Sequence, residues 1–369
     1  MTITTPLITL FGATGNQGGA VARSLLKNPS FKVRGLTRNP SSDASKALAS
    51  QGAEIRQADG FDKTSMLSAF TGSWGVFVNI NSDDKVRNYL HWKPSKKTRL
   101  KDIQSIKDKG LTEFDMGKNI VDAAAEAGVR HFVFSSGPNS LELTGGKVKM
   151  NAAQGTSTYD EDLTLILTIS IAKYDIEQYA RGIDRFETVS FICVAWFLEN
   201  FSIKEIAPLF GGFPHLPDSE GYLTFVAPKW GGKEDVPFLS ILEDLGDIVQ
   251  GMFLDPLRWN GKVVHGCSDI CSMDDVVSKF EEVTGRKSRF QPLETWQAFD
   301  THGVAELEDT KMMFGMTQGS GGRYFGPEAS EKETASELKR KTALALGMSK
   351  KDQELMTVES WFRKHSSSW

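Results

Sequence analysis

The segment Gly12-Ala-Thr-Gly15-Asn-Gln-Gly18-Gly19 sets three glycines at the spacing that cradles a dinucleotide pyrophosphate. The apolar run Leu7–Phe11 precedes it and Ala20-Val-Ala-Arg-Ser-Leu-Leu26 follows, so the glycines fall where a strand turns into a helix. Gly12 lets the backbone leave the strand, Gly15 keeps room for the pyrophosphate at the helix N-terminus, and Gly18 lets the helix lie close on the sheet. Thr14, Asn16 and Gln17, interleaved with them, complete the expected phosphate-side set. About twenty residues after Gly18, where a second strand should end beside the adenosine ribose, the chain reads Thr37-Arg38-Asn39-Pro40. An acidic residue there takes the ribose hydroxyls of NAD, whereas a guanidinium grips a 2′-phosphate and stacks on adenine. Thr37 and Arg38 therefore point to NADP(H), with NAD(H) bound more weakly. Asp59, at the end of the next strand-like run, is placed either to meet the adenine or to cap the helix that follows.

Two further strand ends, Val78-Asn79-Ile80 and Phe134-Ser135-Ser136, belong to the carboxyl edge of such a sheet, where ligands bind. Asn79 and Ser135 are expected to flank the nicotinamide. The helix read as beginning at Ala172 puts Lys173 in its first turn. A lysine there can hold the nicotinamide ribose or, with its pKa lowered by burial, pass a proton. It is the candidate catalytic residue.

The elements that must position these groups alternate. Strand-like runs at Leu7–Phe11, Val33–Thr37, Glu54–Gln57, Trp74–Val78 and His131–Phe134 are separated by helix-like segments at Gly18–Lys27, Ser42–Gln51, Lys63–Phe70 and Glu113–Ala127. That order predicts an α/β fold: a Rossmann-type, doubly wound parallel sheet, with a smaller C-terminal α+β region on the substrate or partner side. The dinucleotide domain is read as residues 1–150, an insertion as 151–171, and the remaining Rossmann elements with the C-terminal region as 172–369. A later alternation runs through Glu187–Val194, Asp244–Leu254, Lys262–His265 and Ser272–Thr284, the last opening on a capping-box pattern with Asp275 in place of Glu. The glycine-rich stretch Gly315–Gly326 reads as a mobile loop and the charged stretch Pro327–Leu346 as a surface helix.

Two segments interrupt the scheme. Residues 83–109 form a basic insertion, in which Lys85 to Lys109 carries nine Lys or Arg against Asp102 and Asp108. It reads as an exposed, solvated arm. Residues 151–171 run from polar into β-prone apolar sequence and suggest an extra strand or a buried flap.

With 369 residues, 40% of them hydrophobic, the chain can bury a substantial core. Its net charge of −4 gives no whole-chain reason to expect nucleic acid, and no apolar stretch reaches the roughly twenty residues of a membrane span. Met1–Pro6 leads into the first strand with no secretory pattern, which fits a cytoplasmic or also nuclear setting. Cys193, Cys267 and Cys271 are too few for a disulfide framework and lack metal-ligand spacing, so no metal is expected.

From Leu7 to about Phe299 the chain resembles the NmrA-like family of atypical short-chain dehydrogenase/reductases, which includes a transcription regulator and an NADPH sensor. The resemblance rests on Phe11–Gly19, Leu36–Pro40, the run from Ala123 to Ser136 and Phe197-Leu-Glu-Asn200. It implies that Gly12, Gly15 and Gly18 hold the pyrophosphate, that Thr37 and Arg38 take the 2′-phosphate, and that Lys173 matches the lysine of isoflavone-type reductases. One position departs. Short-chain dehydrogenases carry a tyrosine four residues before the lysine as the proton donor, and here that position is Ile169. The missing acid favours a redox-sensing regulator whose cofactor state changes its interactions with a protein partner. The alternative is an NADPH-dependent reductase of a small carbonyl or conjugated substrate, working through Lys173 or a bound water. The aromatic stretch Trp196–Phe213 would then line the pocket, although such residues more often form core.

Overall fold

A computed structural model of the chain describes residues 5–80, 112–148, 169–302 and 305–368. The basic arm at 83–109 and most of the 151–171 segment lie outside the described residues. The chain divides into two compact units, one made of 1–136, 172–191 and 256–262, the other of 137–171, 192–255 and 263–369.

In the first unit the order is β1 (Leu7–Phe11), α1 (Asn16–Leu26), β2 (Lys32–Thr37), α2 (Asp43–Ser50), β3 (Glu54–Gln57), α3 (Lys63–Phe70), β4 (Gly75–Val78), α4 (Glu113–Glu126) and β5 (His131–Ser136). Helix α5 (Ile169–Arg181) and strand β6 (Thr188–Val194) follow. Its sheet has β6-β5-β4-β1-β2-β3 as consecutive neighbours. The pairs β1–β2, β1–β4, β2–β3 and β4–β5 are all parallel. Every residue of β4 and β5 is buried, as expected for central parallel strands covered on both faces. This is the doubly wound α/β architecture that the alternation predicts.

Local signals fix the helix starts. Ser42 accepts the Ser45 N–H, Asp62 accepts those of Thr64 and Ser65, and Thr112 with Asp115 forms a full capping box. Arg34 is a buried cation inside β2. Its guanidinium donates to the carbonyls of Ala69 (2.8 Å) and Thr71 (2.9 Å) and to Glu54 (2.9 Å), binding β2 to the C-terminal end of α3.

The second unit is organised around aromatic rings. Trp196, Phe201, Phe210, Phe213, Phe225, Trp230, Phe238 and Phe314 belong to one core cluster, and the Trp196 ring lies 5.6 Å from that of Phe314. Phe201, Phe210 and Phe213 of the stretch Trp196–Phe213 are thus core, with Trp196 packed half-buried against them. Ser272 and Asp275 do form a capping box, at the start of the helix Met273–Thr284.

Two expectations need correction. Gly315 to Ser320 are not loop but the end of the helix Ala305–Ser320, and Phe314, Met316 and Thr317 are buried there. The glycines beyond it serve close approach: a Cβ on Gly232 would stand 2.1 Å from the carbonyl oxygen of Gly321. The charged stretch likewise is not a surface helix alone. The helix Glu333–Ala345 buries Ala335, Leu338, Lys339, Thr342 and Ala343. Lys339 donates to the fully buried Asp244, whose carboxylate also accepts the Ser268 hydroxyl and, at 2.9 Å, the Met356 N–H. Burial pushes the Asp244 carboxyl above its ordinary pKa, and the Lys339 ammonium opposes that.

Removing the cation should therefore strand a buried carboxylate. Lys339→Met is expected to destabilise the protein by about 3–5 kcal/mol in urea unfolding. Adding Asp244→Asn should recover part of that loss. A single-variant loss below about 1 kcal/mol, the scale of an exposed pair, would contradict the assignment.

Candidate functional site

The chain leaves β1 through Gly12 in a left-handed conformation, with φ at +82°. A Cβ on Gly12 would lie 2.7 Å from the carbonyl oxygen of Asn79, and one on Gly18 would lie 2.2 Å from the carbonyl oxygen of Gly12. The Gly15 N–H closes the turn on the Gly12 carbonyl at 3.0 Å. The protein's own backbone thus demands Gly12 and Gly18. Gly15 is different: its φ is −86°, and a Cβ there would meet only the Gly12 carbonyl oxygen, at 3.4 Å. Its missing side chain keeps open space outside the turn.

That space faces a helix end left electrically positive. Helices α2, α3 and α4 begin on side-chain caps, but α1 begins at Gly15 with no side-chain cap and no acidic residue in its first turn. Uncapped N–H groups and the positive end of the helix dipole suit a diphosphate. Thr14 and Asn16 are exposed on the same turn. Gln17 is buried, and its Oε1 accepts the Ser135 hydroxyl at 2.8 Å. Gln17 and Ser135 thus bond to each other and hold α1 to the end of β5.

Asn79 follows β4 directly and is 8% exposed; its Oδ1 has no hydrogen-bond partner among the described residues. A buried carbonyl oxygen of this kind is left for a donor from a ligand or water. At the end of β2, Thr37 Oγ1 accepts the Asn39 N–H at 3.1 Å, and Arg38 is exposed. Among the described residues its guanidinium has no hydrogen bond or ion pair, unlike Arg34, and so remains available to an anion. Asp59 is exposed and accepts the Phe61 N–H at 3.1 Å. It does not cap the next helix: Asp62 does, because Asp62 is the last residue with extended backbone before the first turn.

Helix α5 starts at Ile169, three residues before the expected Ala172, so Lys173 is its fifth residue and lies beyond the first turn. Ile169 and Lys173 stand one turn apart on one helix, the relation that a tyrosine–lysine pair would need. Lys173 is half-buried and has no hydrogen bond or ion pair among the described residues. One turn further on, Glu177 is buried and accepts the Ser136 hydroxyl. Arg181 donates to the other Glu177 oxygen through Nε (2.9 Å) and Nη2 (2.7 Å). The sequence puts Ser136 at the ligand edge of the sheet but marks neither Glu177 nor Arg181. The available signal was the spacing of Lys173, Glu177 and Arg181, which puts all three on one stripe of α5.

No cluster of three metal-ligating side chains occurs among the described residues. All three cysteines are buried, and burial pushes the Cys271 thiol up to about 12 and that of Cys267 higher still. Nor is any helix among the described residues long and apolar enough to cross a membrane.

A glycine turn after β1, an α1 without a side-chain cap and an arginine after β2 whose guanidinium is unbonded among the described residues are the features of a Rossmann-type fold of the dinucleotide-binding kind. The chain belongs to the NmrA-like family, whose profile matches residues 4–361, and within it to a group of oxidoreductases. It is 61% identical to an NmrA-like family domain-containing oxidoreductase of Aspergillus hancockii, over 99% of this chain and 98% of that one. A second such oxidoreductase, from Aspergillus flavus, is 55% identical over 96% of each chain. In structure the chain is similar to NmrA, a negative transcriptional regulator crystallised with NADP, with a TM-score of 0.64 at 16% identity over 98% of this chain and 95% of that one. It is also similar to an NADPH-dependent quinone oxidoreductase from Escherichia coli, with a TM-score of 0.58 at 17% identity over 95% and 97%.

The different roles of the glycines make a separable prediction. Gly15→Val should leave a folded protein that no longer binds NADPH in a calorimetric titration, because the branched side chain fills only the ligand's space. Gly18→Ala should instead lower stability by about 1–3 kcal/mol through overpacking. Retained NADPH binding in Gly15→Val would mean that the turn is structural alone.

Proposed function

We propose that this chain is an NADP(H)-dependent reductase of a small carbonyl or conjugated substrate, and that NAD(H) binds it more weakly. The single observation that carries the cofactor choice is Arg38: an exposed guanidinium with no hydrogen bond or ion pair among the described residues, at the end of β2, where a 2′-phosphate would lie. Relatives named as oxidoreductases, similar across nearly their whole length, support the reaction class.

The residues divide the work. The α1 N-terminus and the space beside Gly15 hold the diphosphate, Thr37 and Arg38 the 2′-phosphate, and Asn79 Oδ1 accepts one hydrogen bond from the ligand. When bound, the reduced nicotinamide supplies a hydride. Reduction of a carbonyl or conjugated system also needs a proton, and Ile169 has none to give. Lys173, on the next turn of the same helix, is the candidate among the described residues to hold that proton, directly or through a water, at the atom that gains electron density.

A second reading, a regulator that reports NADP(H) occupancy to a protein partner, is favoured by Ile169 alone. Under it Lys173 only binds ribose hydroxyls, and the partner must prefer one liganded state. The two readings differ in what Lys173→Met does.

In a panel of quinones, enones and cyclic imines, NADPH oxidation by the wild-type chain is expected. Lys173→Met should lower kcat by about a hundredfold or more while NADPH still saturates the site. A wild-type chain that binds NADPH yet turns over nothing in the panel, with Lys173→Met weakening only binding, would support the regulator. Separately, Arg38→Ala should cost about 1.5–3 kcal/mol of NADPH affinity and leave NADH affinity unchanged. Equal losses for both nucleotides would remove Arg38 from the 2′-phosphate site.

A further inference from the structure

Helix α5 is held to the rest of its unit at points that are unusually specific for an amphipathic helix. On the side of α4, Gly117 makes room for Ile176: a Cβ on Gly117 would lie 2.3 Å from Ile176 Cδ1. The Tyr179 hydroxyl donates to Asp122 at 2.6 Å. On the side of the sheet, the attachment is ionic. Glu177 Oε2 takes the hydroxyl of Ser136, the last residue of β5, and Glu177 Oε1 takes two donors of Arg181. Arg181 is itself fixed, donating through Nη1 to the Gly261 carbonyl at 2.7 Å and lying 4.3 Å over the Phe191 ring.

A buried carboxylate is an expensive way to attach a helix. An apolar pair of similar volume would often stabilise as well or better. What the carboxylate adds is direction. One oxygen is taken from β5 by Ser136 and the other by Arg181 of the same helix, which is itself tied to the Gly261 carbonyl, so rotating α5 about its axis or sliding it along β5 would break the Ser136–Glu177 or the Arg181–Gly261 bond. Ser136 stands next to Ser135, which bonds Gln17 of α1. Successive strand residues point to opposite faces, so the end of β5 grips the glycine helix on one face and the lysine helix on the other.

Lys173 sits one turn from Glu177 on the same stripe and, among the described residues, has no bond of its own to fix its place. We infer that the Ser136–Glu177–Arg181 linkage positions Lys173 against the bound dinucleotide, with Glu177 a positioning residue that acts through Lys173. The inference rests on the reading that Lys173 contacts the nucleotide. It holds whether the chain is a reductase or a regulator.

A thermodynamic cycle tests it without needing turnover. NADPH affinity is measured by calorimetry for the full-length wild type, Lys173→Met, Glu177→Ala and the double variant, with thermal melting confirming that each is folded. Lys173→Met should weaken NADPH binding about tenfold, and Glu177→Ala by threefold to tenfold. The double variant should be no weaker than Lys173→Met alone. Glu177→Gln, whose amide oxygen can still accept from Arg181 while its NH2 donates to the Ser136 hydroxyl, should restore affinity to within about twofold of wild type and serves as the folded comparison if Glu177→Ala does not fold. Ser136→Ala should weaken binding in the wild-type background and not in Lys173→Met. Multiplicative losses in the double variant, or Glu177→Ala at wild-type affinity, would overturn the inference. If Lys173→Met itself binds NADPH as wild type does, the prior reading of Lys173 fails instead.

Discussion

The carboxyl end of β5 is the constraint on which the rest of the site depends. Two adjacent serines, both buried, send their hydroxyls to opposite faces of the sheet: Ser135 to Gln17 of the glycine helix, Ser136 to Glu177 of the lysine helix. Neither bond would be worth much alone in net stability, about 1 kcal/mol for a neutral pair and somewhat more to a charged group. Their value is geometric. They relate the N-terminus of α1 to the stripe of α5 that carries Lys173, through a single strand set between β4 and β6.

The glycine turn is the complement of that bracket. Gly12 and Gly18 are required by the backbone itself, so they would stand even in a protein that bound nothing. Gly15 and the uncapped start of α1 are the features that a structural role leaves unexplained. Helices α2, α3 and α4 of the same unit have side-chain caps from Ser42, Asp62 and Thr112, so the missing cap of α1 sets it apart from these three. A ligand with two phosphates would supply there what a capping side chain supplies in α2, α3 and α4.

Much of this was legible in the sequence, for reasons that differ by residue. The glycine spacing, Arg38 and the strand–helix alternation are local signals, set by backbone geometry within a few residues, and they mark the right elements to within a few residues at each end. Asp59 and Asp62 show the limit: both precede α3, and only the backbone decides which one caps it. Lys173 was legible, but the start of its helix was not, because Ile169-Ser-Ile171 reads as β-prone when judged by residue type. Glu177 was missed because a carboxylate in Tyr174-Asp-Ile-Glu-Gln-Tyr179 looks solvated, and its burial depends on Ser136 arriving from β5 as well as on Arg181 one turn further along the same helix. Gly315–Gly326 misled in the opposite direction. Glycines mark flexibility when nothing crosses them and close contact when a second backbone does, and Gly321 meets Gly232 across a long loop closure.

The central claim is that a 2′-phosphorylated dinucleotide lies across the end of this sheet, with its diphosphate on α1 and its nicotinamide within reach of Lys173. A crystal structure of the full chain with NADP⁺ tests it most directly. The account predicts diphosphate oxygens against the backbone N–H groups of Asn16 and Gln17, the Arg38 guanidinium on the 2′-phosphate, Asn79 Oδ1 accepting from the ligand, and Lys173 Nζ within hydrogen-bond distance of the nicotinamide ribose. A nucleotide bound elsewhere, or one seated on α1 with Arg38 turned to solvent and Lys173 far from the nicotinamide end, would contradict it.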